Sequence, residues 1–374
     1  MEFRDLKKQY QALKPRIDEA VLKVMNDCNF ISGAQIKKLE TSLADYVGVK
    51  HCITCANGTD ALTLALMSCS VGPGDAVFLP DFTFFASAET PAALGATPVF
   101  VDVDADTYNI DPVSLEQEIA RVRAEGKLNL KAIITVDLFG LCANYTEIEA
   151  IAKKYDILII EDGAQGFGGR IDNRLACSFG DIATTSFFPA KPLGCYGDGG
   201  AIFTNDDKKA ALLRSLCVHG KGTDKYDNVR LGMNSRLDTI QAAILLVKLD
   251  AFIQYELNDV NKAAAWYTER LREKIKTPVI PNGFYSSWAQ YTIQLENKAL
   301  RDAIQTALNS QGIPTMQYYP KGMHQQGAFY ETRCFSKCPV CEKLCDTVLQ
   351  LPIHPYLTEN DVDVISEKLI IALG

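Results

Sequence analysis

Short apolar runs recur through the first half of the chain, at residues 76–80, 98–103, 132–137, 157–161 and 183–188, with helical spacing between them. Most are continuously apolar rather than alternating, the pattern of strands covered on both faces in a mostly parallel sheet. The pattern predicts an α/β protein, and in such sheets ligands bind beyond the carboxyl ends of the strands. Residues 81–85, 162–165 and 189–200 are therefore where a site is expected. After Arg236 the texture changes. Leu249, Ile253, Leu257, Val260, Ala264, Tyr267, Leu271 and Ile275 follow one another at spacings of three and four, which predicts a long amphipathic helix. It leads from a large domain, residues 1–248, into a smaller one, residues 249–374.

The length of 374 residues agrees with two domains at about 150 residues each. Hydrophobic residues at 47% and charged residues at 22% exclude disordered and fibrous classes. With 38 basic and 46 acidic side chains the net charge is -8, so no global positive field draws in phosphate backbones and nucleic acid is not an expected partner. No apolar run approaches the roughly 20 residues that cross a bilayer. The first residues, MEFRDLKKQYQALK, are charged throughout and lack the apolar core of a signal peptide. A cytoplasmic protein is expected, away from membranes, with its 12 cysteines reduced.

Three features carry candidate chemistry. Ala56-Asn-Gly-Thr-Asp-Ala-Leu62 sets a glycine and small polar residues before a helical pattern. Free N–H groups at a helix start form an anion site, and an ordinary cap by Asn57 or Thr59 explains the same residues. Asp162 follows an apolar strand, where a buried carboxylate needs a partner. A bound cation such as a protonated heterocyclic nitrogen would serve, as would a role in capping the next helix. Lys191 stands between two prolines, with apolar residues before it and a glycine-rich turn after it. Desolvation there would free its amine for Schiff-base chemistry; a solvated surface lysine is the alternative. Together, a phosphate-type loop, an acid and a lysine match the three needs of pyridoxal phosphate: an N–H cradle, a partner for the ring nitrogen and an amine for the aldehyde.

The order and spacing of five motifs resemble the DegT/DnrJ/StrS family of sugar-nucleotide aminotransferases. They are Asn57-Gly-Thr-Asp-Ala-Leu62, Glu161-Asp-Gly-Ala-Gln165, Ser186-Phe-Phe-Pro-Ala-Lys-Pro-Leu-Gly194, Gly197-Asp-Gly-Gly-Ala-Ile202 and Asn234-Ser-Arg-Leu-Asp238. The resemblance implies an aspartate aminotransferase-like fold of type I, with a mostly parallel central sheet flanked by helices and a smaller C-terminal α+β domain. It implies pyridoxal 5'-phosphate as cofactor, alternating with pyridoxamine 5'-phosphate. Lys191 would form the Schiff base and shuttle the proton, while Asp162 would keep the ring nitrogen protonated. Gln165 would lie near the ring hydroxyl, Phe84 would stack on the ring, and Gly58, Thr59 and Ser186 would hold the phosphate. Asn234 would reach the phosphate bound by another subunit, making the protein a homodimer with shared active sites.

The implied reaction moves an amino group from L-glutamate to a keto-sugar nucleotide, with a UDP-linked 3-oxo sugar in bacterial surface-polysaccharide or amino-sugar synthesis as the leading expectation. A dTDP- or GDP-linked 3-oxo or 4-oxo deoxysugar is the alternative. In family members that act on a uronate, an arginine matching Arg236 and a His-Tyr pair before a proline hold the carboxylate. Here the pair reads Tyr318-Tyr319-Pro320, which leaves the uronate open. His324 falls where the family lines its substrate pocket. Relatives that dehydrate sugars carry histidine in place of the lysine, and Lys191 argues against that chemistry. Cys334, Cys338, Cys341 and Cys345 form C-x3-C-x2-C-x3-C, the basis of a rival reading as a non-catalytic metal-binding or regulatory protein. The family has a helix start there without a metal, so no metal is expected and the thiols are taken as small packed hydrophobes.

Overall fold

The structure is a computed structural model that describes residues 1–224, 226–331 and 334–374. Helices α1 (Leu6–Asp27) and α2 (Ala34–Val47) precede β1 (His51–Cys55), α3 (Gly58–Ser68), β2 (Asp75–Pro80), α4 (Ala86–Ala93) and β3 (Thr97–Val101). Next come α5 (Pro112–Glu125), β4 (Asn129–Val136), α6 (Tyr145–Tyr155), β5 (Leu158–Asp162), the short pair β6 (Arg170–Ile171) and β7 (Arg174–Leu175), β8 (Ile182–Ser186), β9 (Gly200–Thr204) and α7 (Asp207–Leu216). The remainder comprises α8 (Thr239–Ala251), α9 (Leu257–Leu271), β10 (Phe284–Tyr285), β11 (Tyr291–Gln294), α10 (Lys298–Ser310), α11 (Pro339–Thr347), β12 (Val348–Leu351) and α12 (Glu359–Leu373).

Seven strands form the central sheet in the order β1-β9-β8-β5-β4-β2-β3. The five apolar runs are its parallel strands β2, β3, β4, β5 and β8. Their continuous hydrophobicity has a direct cause, because alternate residues enter cores on opposite faces. Val77, Leu79 and Ile134 pack with Leu62 and Leu66 of α3, whereas Ala76, Phe78 and Ile133 pack with Leu115 of α5 and Ile148 of α6. Strands β1 and β9 are antiparallel and were not among the expected elements. They lie at one edge, where HCITC and GAIFT are short and carry polar or small residues.

The expected long helix exists with one correction. A π-helical turn, Phe252–Glu256, separates α8 from α9 and changes the phase of the apolar stripe. Ile253 is 51% exposed, and Phe252 and Glu256 turn inward instead. The buried Glu256 carboxylate accepts from Gln9 Nε2 at 2.9 Å and from Tyr356 OH at 2.6 Å, tying α1 and the segment after β12 to the turn. Beyond it, α9, α10 and α12 close with β11 and β12 around Tyr267, Tyr291, Ile304, Leu349 and Ile365. The intervening chain returns to the sheet: Met323, Phe329, Cys341 and Leu344 share a core with Val77 and Phe100. None of the described helices is long and apolar enough to cross a membrane.

His354, just past β12, is 2% exposed and is pushed down to about 4, first by burial and then by Arg4. The unfolded chain gains this proton near 6.5, whereas the folded chain refuses it until about 4. The stability that neutral His354 supports is therefore complete above 6.5 and lost as pH falls through that window. The loss amounts to about 3 kcal/mol at roughly 1.4 kcal/mol per unit. Urea midpoints measured from pH 7 down to pH 4 should decline, with His354→Gln flattening the decline; identical slopes in both proteins would refute this assignment.

Candidate active site

A cavity of about 910 Å³ opens at the carboxyl ends of the parallel strands. The start of α3 forms one side. Asn57 Oδ1 accepts from the Asp60 N–H at 2.7 Å, so the capping reading is correct. Among the described residues no hydrogen bond engages the N–H groups of Gly58 and Thr59, two of the orphan donors of a helix start. The cap therefore leaves these two N–H groups at the cavity wall. A Cβ on Gly58 would fall 2.7 Å from Ser186 Cβ, and one on Gly200 2.4 Å from Asn57 O. Only glycine lets the helix start come this close to the end of β8.

Asp162 ends β5 with its carboxylate 6% exposed. Ser87 Oγ donates to its Oδ2 at 2.8 Å and the Ala164 N–H to its Oδ1 at 3.2 Å. Burial pushes its affinity for a proton up, while the Ser87 hydrogen bond and the nearby Lys191 charge hold it down. Lys191 follows a tight turn in which its N–H donates to Phe188 O at 2.9 Å. A Cβ on Gly194 would fall 2.6 Å from the Phe188 and Pro189 carbonyls, so the glycine permits the turn. Burial lowers the Lys191 pKa; Asp162 raises it and Arg4 adds to the lowering. The desolvated amine anticipated between the prolines is present.

Gln165 reaches across the floor, accepting from the Phe139 N–H at 2.8 Å and donating to Tyr319 OH at 3.0 Å. Phe84, 54% exposed, lies with its ring centroid 6.4 Å from that of Tyr319, an apolar face open to the cavity. Behind Asp162, Asp137 and Glu161 form a buried carboxyl pair. Glu161 points away from the cavity and accepts from the Cys177 and Phe179 N–H groups. Burial pushes both members up, so the pair keeps a proton.

Nine expected residues, Gly58, Thr59, Phe84, Asp162, Gln165, Ser186, Lys191, Tyr318 and Tyr319, line this one cavity. Asn234 and Arg236 do not; both are exposed. Ser235 between them is buried, and its Oγ accepts from the Ala56 N–H at 3.1 Å beside the α3 start. His324 is not in that lining either. It is 7% exposed and turned away from the cavity, its Nδ1 2.5 Å from Asp81 Oδ2, because the fully buried Asp81 carboxylate draws it inward. Of the four cysteines of the C-terminal motif, Cys334 stands apart and accepts from Arg121 Nη2 at 3.2 Å. Ser87 and the Gln165–Tyr319 link escaped the sequence reading. Ser87 lies two residues past the expected 81–85 stretch, inside α4, a position that flags it only once β2 and β5 are known to be neighbours of β4.

An amine, a buried acid, an open aromatic face and a helix start around one cavity fit a pyridoxal-phosphate site, and the glycine-cleared approach of α3 to Ser186 sets N–H groups beside a hydroxyl, the donors that a phosphate takes. The DegT/DnrJ/EryC1/StrS aminotransferase family model matches residues 11–370, and the chain belongs to that family of pyridoxal-phosphate transaminases. The chain is 46% identical over 370 residues to the UDP-2-acetamido-2-deoxy-3-oxo-D-glucuronate aminotransferase of Pseudomonas aeruginosa, covering 99% of each chain. It is 41% identical to the UDP-N-acetyl-3-dehydro-alpha-D-glucosamine 3-aminotransferase of Acidithiobacillus ferrooxidans, covering 96% of this chain and 94% of that one. The crystal structure of a DegT/DnrJ/EryC1/StrS aminotransferase from Brucella abortus matches with a TM-score of 0.96 and 49% identity, over 99% of this chain and 98% of that one.

Gly58→Ala should push α3 off Ser186, costing about 1–3 kcal/mol of stability and weakening cofactor retention by about tenfold or more. Cofactor content after dialysis is the measurement, and full retention would show that the close approach is not needed.

Proposed function

We propose that this enzyme moves the amino group of L-glutamate onto C3 of a UDP-linked 3-oxo-N-acetylhexosamine. The observation that carries the reading is Lys191, desolvated and facing Asp162 beside the open start of α3, in a chain similar along its length to two aminotransferases named for 3-oxo UDP-sugars.

Pyridoxal phosphate, when bound, supplies an electron sink that stabilises negative charge at the substrate carbon. The Gly58 and Thr59 N–H groups and the Ser186 hydroxyl would hold its phosphate. Asp162, whose charged form Ser87 and Lys191 favour, would retain a proton on the ring nitrogen. Phe84 would cover one ring face, and Gln165, fixed by Phe139 and Tyr319, would lie near the ring hydroxyl. Lys191 removes a proton at one carbon and returns it at another, work suited to an amine whose pKa burial has lowered toward neutrality. Asn234 and Arg236, exposed on their own subunit, serve the site of a second copy, so the active form is a homodimer. Both substrates are charged metabolites, which favours a cytoplasmic location.

Of the two sugars, the neutral one is favoured. The side chains lining the cavity include Asp60, Asp162 and Asp198 against Lys191, and Tyr318 offers a hydroxyl in place of an imidazole. The uronate remains the second reading because of the 46% identity to a uronate enzyme.

Adding L-glutamate to the yellow holoenzyme should bleach the visible band and release stoichiometric 2-oxoglutarate; no release would overturn the donor. Lys191→Ala should lower turnover by about 10³-fold or more while part of the cofactor stays bound, and retained turnover would sink the reading. With synthetic 3-oxo UDP-sugars, kcat/KM should favour the N-acetylglucosamine derivative over its uronate, and the reverse order would return the assignment to the uronate. Mixing Lys191→Ala with Asn234→Ala subunits should restore about a quarter of wild-type activity, because half of randomly paired dimers carry one intact site. No restoration would mean that the sites are not shared.

A further inference from the structure

Asp81, His324 and Cys338 come from three separate segments, the end of β2, the turn at 323–325 and the residue before α11, and all three are buried. Their ligand atoms lie within 4.8 Å of one another. The fully buried Asp81 carboxylate organises the group, with His324 Nδ1 2.5 Å from Oδ2 and the His324 N–H donating to Oδ1 at 2.8 Å. Cys341 lies just outside that group: the Cβ that Gly322 lacks would fall 2.5 Å from Asp81 Oδ2 and 2.7 Å from Cys341 Sγ, so only the glycine stands between the second thiol and the carboxylate.

Local structure leaves the thiols available. Cys338-Pro-Val-Cys341 opens α11, and Cys338 occupies the cap position without capping. Asp102 takes that role from another segment, accepting from the Val340 and Cys341 N–H groups at 3.0 and 2.9 Å.

The geometry points to a structural site for a divalent, thiol-seeking cation of the Zn²⁺ type, ligated by Asp81, His324, Cys338 and Cys341. One carboxylate oxygen, one imidazole nitrogen and two sulfurs joined by C-x2-C spacing are a donor set suited to tetrahedral zinc. Binding releases the two thiol protons to solvent. The ion takes no part in amino transfer. It clips the loop that carries Phe84 to the segment that carries Tyr318, Tyr319 and Met323, stiffening the cavity wall from behind.

Co²⁺, titrated without oxygen into reduced and chelator-treated holoenzyme, reads the site directly. One equivalent per subunit should produce the visible bands of a four-coordinate thiolate-bound ion, to the red of the cofactor, and Zn²⁺ should erase them. Cys338→Ser and Cys341→Ser should each weaken binding by about 10²-fold, while Cys334→Ser, whose thiol faces Arg121, should leave it intact. Protein purified without chelator should contain zinc in the same proportion. An octahedral cobalt spectrum, absent uptake, or uptake unchanged in both serine variants would overturn the site, and the wild-type spectrum decides even where a variant fails to fold.

Discussion

Asp162 and Lys191 lie out of bulk water on adjoining strand-end segments. Burial pushes each toward its neutral form, and the charge of the other pushes it back. At reduced effective dielectric this mutual term is several times its value in water, so both groups stay poised rather than settling at surface values. The sheet makes the arrangement possible, because β5 and β8 are parallel neighbours and end at the same edge. An antiparallel pair would have sent one of the two groups to the opposite end. Ser87 completes the balance with a hydrogen bond that favours the charged carboxylate, and Asp137 and Glu161 behind it keep a proton between them and so add less repulsion.

Close approach is the second constraint. The α3 start, the end of β8 and the Lys191 turn meet at Gly58, Gly194 and Gly200, where any Cβ would come within 2.7 Å of backbone or side-chain atoms. These glycines remove atoms so that N–H groups and a hydroxyl border one space. Rigidity comes from the far side, where Met323, Phe329, Cys341 and Leu344 join the sheet core and Tyr319 meets Phe82, which in turn meets Phe139.

The parallel strands were legible because burial on both faces forces an unbroken apolar run. Strand β1 at the edge and β9 beside it were not, since one short polar-flanked pentapeptide looks like any other until its partner is known. Ile253 misled the periodicity because an inserted π turn changes the phase, and its cause, the buried Glu256 with donors on Gln9 and Tyr356, is a contact between residues far apart in sequence. The cavity residues were legible by motif, each sitting directly after a strand or at a helix start. His324 was misread for the complementary reason: its neighbours in sequence line the cavity, while its own direction is set by Asp81, distant in sequence.

Electrostatics links the cavity to assembly. Among the described residues the cavity lining provides three carboxylates and one amine, so the proposed diphosphate-linked sugar would bring negative charge to a space short of cations. Burying such a ligand without counter-charge is costly; Arg4 lies close behind Lys191, donating to Pro192 O at 3.3 Å, and on the proposed homodimer a partner would bring more cations. Arg236 is suited to supply one: it is exposed, in a loop pinned by buried Ser235 to the α3 start, and its guanidinium suits phosphate or carboxylate equally. On the proposed pairing, a monomer would lack both that guanidinium at the sugar nucleotide and the Asn234 amide at the cofactor phosphate, so separating the subunits would weaken the hold on both ligands.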